Sequence, residues 1–348
     1  MPTAELSLAE PHRTTTLDCS PGRSAPLVRA YLDALDEVVT SGDWVDPVLD
    51  QASVGSNFGR GRGRTIELLC HTASFPVASP TLISPLARPV DPVFACGHLL
   101  WALAGSKDVR WIAYYNERGR AFSSDGVTLD GAPGPRLMGP GQPLVDHVDL
   151  LRRDPSTRRA LLPMIGGSGA WLRSNDVPCQ VGLQHWVRNG AVRGLSLMRS
   201  QSAALLWPLD AFFASSIQCL VAAELALPVG SHDYFSASLH IYEDERETVD
   251  RIRVQGVIDA PFAPVTQGLS ALPRVLAQEA RLRAAALSGS RDAVLRAVEQ
   301  APEFEGFWSE VLTVLSVSAL LRVDLTERAE TYLRQLPLGV ATALRIRQ

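Results

Sequence analysis

A strand–turn–strand–helix–strand run in the middle of the chain constrains the fold most. Gln180 to Val187 alternates in strand fashion, Arg188-Asn189-Gly190 is a tight-turn signal, and Ala191 to Met198 reads as a second strand. The two strands are predicted to form a hairpin. Leu209 to Leu227 follows as a long apolar helix that Pro228 and Gly230 close, and Ser236 to Tyr242 reads as another strand. A helix apolar on every side has to be buried. The run therefore predicts an α/β (α+β) chain: a mixed sheet with flanking helices.

The flanks are predicted from the same signals. Residues 1–25 are rich in Thr, Ser and Pro without periodicity and read as a loose tail. Residues 26–39 carry apolar residues at helical spacing, and the Gly-rich stretch through Arg60 and Arg62 leads into a strand. Residues 93–105 read as a buried helix ended by Gly105, and 115–142, dense in Gly, Pro and Asp, as loops. From about residue 266 the character changes. Four helical patterns (Pro273–Leu287, Arg291–Gln300, Phe304–Arg322, Thr326–Gln335) suggest a helical appendage over 266–348, behind a main domain over 26–265.

Composition narrows the function classes. The formal net charge of -4 argues against a general nucleic-acid binder. Five cysteines without a CxxC pair and without a visible signal peptide predict free thiols in a reducing cytoplasm. The longest membrane-span candidate, 211–227, is interrupted by Ser215, Ser216, Gln218 and Glu224, so no membrane association is expected.

Four segments, in order, resemble thymidylate synthases and their pyrimidine hydroxymethylase relatives. GHLLWALAGS (97–106) is similar to that family's helix containing ELLWFL, and DPSTRRALLPMI (154–165) to its SRR segment. DVPCQVGLQHWVRNGAVRGLSLMRSQS (176–202) is similar to the stretch from the family's reactive cysteine to its RS pair. WPLDAFFASSIQCLVAAELALPVGSHDYFSASLHIYED (207–244) is similar to the stretch from PFN to the HxY pair. Each motif is weak alone; their order and spacing carry the resemblance, which implies a thymidylate synthase-like mixed sheet.

The resemblance assigns roles. Taken alone, Cys179 after Pro178 is an ordinary core cysteine; by resemblance it adds to C6 of a pyrimidine and makes C5 a nucleophile towards a one-carbon unit. That needs a thiolate, which nearby guanidinium groups would favour. Arg158 and Arg159, otherwise a solvated pair, together with Arg199 and Ser200 match the family's phosphate-holding residues. The family's paired arginines come from the other subunit, which implies a homodimer. His240 and Tyr242 match its sugar-binding pair; the plain alternative is a half-buried polar pair at a sheet edge. Asp210 stands where uracil-binding members carry Asn. A carboxyl group can accept from the cytosine amino group and, when protonated, serve N3, as in the deoxycytidylate hydroxymethylases of the superfamily. The alternative is drift in an inactive site.

Several positions depart from the pattern. His98 replaces a glutamate that manages protons near C5, a task an imidazole can share. Gln180, Ser202, Ser238 and Leu206 replace a histidine, two aspartates and a glycine, and DQASVGSNFGR stands in place of the phosphate loop. The chain also continues into helices where the family ends in a short tail over folate. The expected activity is CMP or dCMP 5-hydroxymethylation, favoured over dUMP, with 5,10-methylenetetrahydrofolate as donor and no metal. The alternatives are a folate-independent relative and a non-catalytic nucleotide-binding homologue.

Overall fold

The computed structural model describes residues 26–46, 64–166, 174 and 176–347. The expected N-terminal tail and Arg60 and Arg62 lie outside the described residues. The chain begins with α1 (Pro26–Ser41), β1 (Asp43–Val45), β2 (Thr65–Pro76) and β3 (Thr81–Pro85). It continues through α2 (Pro92–Leu103), α3 (Val109–Tyr115), α4 (Gly134–Met138) and α5 (Pro143–Arg153). β4 (Leu161–Pro163), β5 (Gln180–Arg188), β6 (Ala191–Met198) and β7 (Gln201–Ser202) lead to α6 (Trp207–Leu225) and β8 (Val229–Tyr242). α7 (Arg246–Gln255) and β9 (Val257–Pro261) precede five helices: α8 (Leu272–Leu287), α9 (Arg291–Glu299), α10 (Gly306–Leu321), α11 (Thr326–Leu333) and α12 (Leu338–Arg347).

The main sheet runs β1-β2-β8-β6-β5-β4, with β7 beside β8. Neighbours are antiparallel except where β6 and β7 meet β8, so the sheet is mixed. The predicted hairpin is present. Asn189 and Gly190 both adopt positive φ (54° and 74°), as a two-residue loop between right-twisted strands requires. A parallel β6–β8 pair needs a crossover, and α6 supplies it. β3 and β9 form a separate two-stranded ribbon.

α6 is apolar enough and, at 19 residues, long enough to cross a membrane by composition alone, but 72% of its apolar window is buried inside this fold. It packs on β3, β6, β8, α2 and α5. It begins two residues earlier than expected and ends on Ala226 in the left-handed conformation; Gly230 lies inside β8 rather than closing the helix. β8 starts seven residues before the expected Ser236, because Gly230, Ser231 and Asp233 are poor strand formers that only pairing with β2 and β6 holds extended. The stretch expected as loops contains a 3-10 turn, Glu117–Phe122, and α4.

Within β2 and β8 the buried positions change parity. His232, Tyr234 and Ser236 are buried, and then Leu239 and Ile241; on β2, Ile66 is followed by His71 and Phe75. The slip falls between the pairs Leu69↔Ser238 and His71↔Ser236, where Cys70 has φ 56°.

The C-terminal helices share one hydrophobic cluster with the sheet region. α10 and α12 pack on α2, and α12 also on β9. α12 was not expected; its sequence, LGVATALRIR, offers no cap, and Val340, Ala341, Ala343 and Leu344 are helical because they are buried. Glu279 of α8, fully buried, accepts from Trp111 Nε1 (2.9 Å), Tyr115 Oη (2.6 Å) and Arg283 Nε (2.7 Å). This single carboxylate ties α8 to α3.

Candidate active site

Cys179 stands immediately before β5, half-buried at the point where the β5–β6 register shifts between Gln180 and Gly182. Its backbone carbonyl accepts from the Arg199 amide at 2.9 Å. The Arg199 guanidinium folds back over the same segment. Nε donates to the Pro178 carbonyl (2.8 Å), and Nη2 to the Val177 carbonyl (3.1 Å) and to Cys179 Sγ (3.7 Å). The hairpin thus delivers the cation to the thiol through backbone register. The thiol is nonetheless pushed up rather than down: burial outweighs Arg199, and Asp210 and Asp176 add negative charge nearby. The expected lowering by guanidinium groups is present in Arg199 but is outweighed by burial.

Tyr242 and Cys179 are close enough to interact electrostatically, as are His240 and Arg199. The His240 and Tyr242 rings meet edge to face with centroids 5.2 Å apart. β7 pairs Ser202 with His240, which carries Ser200 to the same end of the sheet. Burial lowers the His240 pKa despite the opposing charge of Glu67, its register partner on β2.

Asp210 lies in the first turn of α6, where the helix dipole favours an anion. Burial wins over that and over a Gln201 hydrogen bond, pushing the carboxyl up to about 7. Gln201 Nε2 donates to Asp210 Oδ2 at 3.3 Å, while Gln201 Oε1 accepts from Ser236 Oγ at 2.7 Å. The sequence reading missed Gln201 and Ser236; only the β7–β8 pairing brings them together.

His98 sits on α2 in an aromatic box. Its ring centroid is 5.8 Å from Phe94, 5.8 Å from Trp101 and 5.4 Å from Phe213, the last one helical turn beyond Asp210. Burial lowers its pKa to about 4, so the ring is neutral at pH 7: a hydrogen-bond partner or base rather than a resting acid. The adjacent Gly97 is needed here, because a Cβ would lie 2.4 Å from the Tyr115 ring.

Arg158 and Arg159 are exposed and stand apart from these groups. Ala160 O accepts from the His185 amide (3.1 Å), six residues along β5 from Cys179, or about 20 Å at the usual strand rise. Within one protomer they do not meet the thiol. Gln180 Nε2 approaches Ser196 Oγ at 3.5 Å. Ser202 is buried, and its hydroxyl accepts from the Leu205 amide at 3.3 Å. Among the described residues no group of three or more His, Cys, Asp or Glu is placed to hold a metal ion.

Known proteins show the same pattern of likeness. The chain is 29% identical over 266 residues to a deoxyuridylate hydroxymethyltransferase of Bacillus phage SP01, an alignment covering 70% of this chain and 65% of the phage protein. It is 28% identical over 164 residues to the protein of that name from Pseudomonas phage M6, covering 45% of this chain and 46% of that one. It is 26% identical over 172 residues to a thymidylate synthase of Francisella tularensis subsp. holarctica, covering 44% of this chain and 62% of that one. The chain thus spans less than two thirds of the length of these relatives. No protein-family profile matches it. The similarities support a thymidylate synthase-like superfamily with hydroxymethylase relatives. The proteins they name are one-carbon transferases.

Proposed function

We propose that the protein transfers a one-carbon unit to C5 of a pyrimidine nucleoside monophosphate, and that its base is cytosine, giving the 5-hydroxymethyl product. The observation that carries this reading is the convergence on Cys179 of the Arg199 guanidinium, 3.7 Å from Sγ, with the Asp210 carboxyl and the Tyr242 phenol, both near enough to couple electrostatically to the thiol. Cys179 Sγ bonds to C6, and the C5=C6 electron pair moves to C5. C5 then bonds to an electrophilic carbon unit and loses its proton. The unit's carrier leaves with its bonding pair, water adds to the methylene carbon so exposed, and the electron pair returned to the ring expels the Cys179 thiolate from C6 and restores the double bond. An arriving phosphate would draw on Arg199 and Ser200, and a homodimer would bring Arg158 and Arg159 from the partner.

Asp210 supports cytosine. Gln201 occupies Oδ2 as a donor, which makes Oδ2 the carbonyl-like oxygen and leaves the proton to Oδ1. A neutral carboxyl in that state donates from Oδ1 to N3 and accepts from the 4-amino group at Oδ2. The relatives' names specify deoxyuridylate, so the base is where this chain is expected to part from them.

The carbon donor that the resemblance implies, 5,10-methylenetetrahydrofolate, finds a poor fit. Where relatives carry an aspartate, Ser202 is buried and its hydroxyl is already engaged by Leu205. This observation favours a second reading, the same thiol chemistry at C5 without folate. Incubation with C5-tritiated CMP, dCMP and dUMP, with and without methylenetetrahydrofolate, separates the two. Folate-dependent release from a cytidine nucleotide supports the first reading, and folate-independent release the second. No release from any nucleotide refutes both.

A further inference from the structure

The sugar edge of the site holds a carboxylate that none of the assignments above uses. Glu67 of β2 is the antiparallel register partner of His240. Directly opposed side chains on such a pair lie about 5 Å apart at Cβ. Glu67 is half-buried, and its Oε1 accepts a short hydrogen bond from Ser238 Oγ, two residues before His240 on β8. Its charge acts on His240 and opposes the effect of burial there. Among the described residues Oε2 has no hydrogen-bond donor. Ser238, His240 and Tyr242 alternate along β8 on the same side of the strand, all half-buried, so Glu67, His240 and Tyr242 line one edge.

The chemistry of that edge is specific. His240 and Tyr242 are two groups for a sugar hydroxyl, and a deoxynucleoside 5′-monophosphate has one free hydroxyl to offer. A ribonucleoside 5′-monophosphate offers two, vicinal and cis. A carboxylate accepts only, through a fork of two oxygens, and acidic side chains read ribose hydroxyls this way in dinucleotide-binding folds. Ser238 holds Oε1, which fixes the fork and aims Oε2.

We infer that Glu67, held by Ser238, is a specificity-determining residue that accepts a hydrogen bond from the ribose 2′-hydroxyl, so that the protein prefers ribonucleotides to deoxyribonucleotides. The inference rests on the nucleotide reading of the site but not on the identity of the base. A site built to bond a hydroxyl discriminates against the analogue lacking it, because its polar group is left unpaired. Glu67 is only half-buried and water can replace the missing hydroxyl, so the effect is about tenfold rather than a thousandfold.

The test is isothermal titration of the full-length protein with CMP, dCMP, UMP and dUMP. For whichever base binds, the ribonucleotide is expected to bind about tenfold more tightly. Glu67→Gln should weaken the ribonucleotide to within about twofold of its deoxy counterpart, while deoxynucleotide affinity stays within about twofold of wild type. Ser238→Ala, which leaves the carboxylate in place but frees it, should remove part of the preference; it serves as the second variant if Glu67→Gln does not fold. Equal wild-type affinity for ribo- and deoxynucleotides overturns the inference alone, as does a Glu67→Gln variant that weakens both equally. Failure of all four nucleotides to bind overturns the nucleotide reading itself.

Discussion

The strand-borne groups of the site (Cys179, Arg199, His240, Tyr242) are placed by backbone register at an accessible edge, whereas the helix-borne His98 and Asp210 sit among aromatic and apolar side chains. These four groups are ones the superfamily resemblance expects, whereas His98 and Asp210 depart from it, as Gln180, Ser202 and Ser238 do on the strands themselves. Burial also acts differently on the two. It is the leading cause at the strand-borne imidazole and thiol as well, but charges act beside it there: Glu67 opposes it at His240, and at Cys179 Arg199 opposes it while Asp210 and Asp176 reinforce it. On the helices it dominates, leaving His98 neutral and Asp210 poised near neutrality. On the proposed reading, the sheet would recognise the nucleotide, and the helices would decide which base reacts and how its protons move.

Replacing Cys179 is the sharpest way to break this division. Cys179→Ala should reduce tritium release by at least about 1000-fold, or roughly 4 kcal/mol of barrier, with nucleotide affinity nearly unchanged. If affinity collapses as well, the strand side does not bind independently of the chemistry. Glu279→Ala tests whether the helical side depends on its C-terminal support. It strands Trp111, Tyr115 and Arg283 and should cost about 3–5 kcal/mol in denaturant unfolding.

Buried histidines supply the next effect. His147 and His232 have pKa values lowered by burial to about 4 and about 3 from an ordinary 6.5. The folded state therefore binds fewer protons than the unfolded state below pH 6.5. Stability is full above that pH and declines as pH falls towards 4. Between pH 7 and 5 each should cost about 2 kcal/mol, read as a drop in the urea midpoint. Asp210→Asn should shift preference towards uracil nucleotides by about 30-fold, measured as the ratio of kcat/KM values. An unchanged ratio removes Asp210 from base selection. Finally, cytidine nucleotide affinity in the wild type should fall about tenfold from pH 6 to 8, since the proton on a carboxyl titrating near 7 is lost over that range. In Asp210→Asn the profile should be flat.

Much of this was legible in the sequence. The hairpin, its turn, α6 and four of the C-terminal helices follow from local periodicity and turn chemistry; Arg199 was singled out by the family resemblance, and the hairpin only places it near Cys179. The contacts of Gln201 with Ser236 and of Glu67 with Ser238 were not legible, because they join residues 35 and 171 positions apart. Strand order, not local pattern, brings them together. α12 was missed because only tertiary burial makes it a helix. The upward displacement of the Cys179 thiol was missed because desolvation depends on packing that no motif encodes.

The parity slip at Cys70 and Ser238 divides β8 into two reading frames. In its first half, even-numbered positions such as His232 and Tyr234 are interior, and substitutions there act on folding. In its second half, even-numbered positions such as Ser238, His240 and Tyr242 are half-buried and lie on the proposed sugar edge, where substitutions are expected to act on recognition. A mutant library that randomises β8 by a fixed alternation would therefore mix the two outcomes. One that changes phase at residue 237 would separate them, and could retune the sugar edge without disturbing the core beneath it.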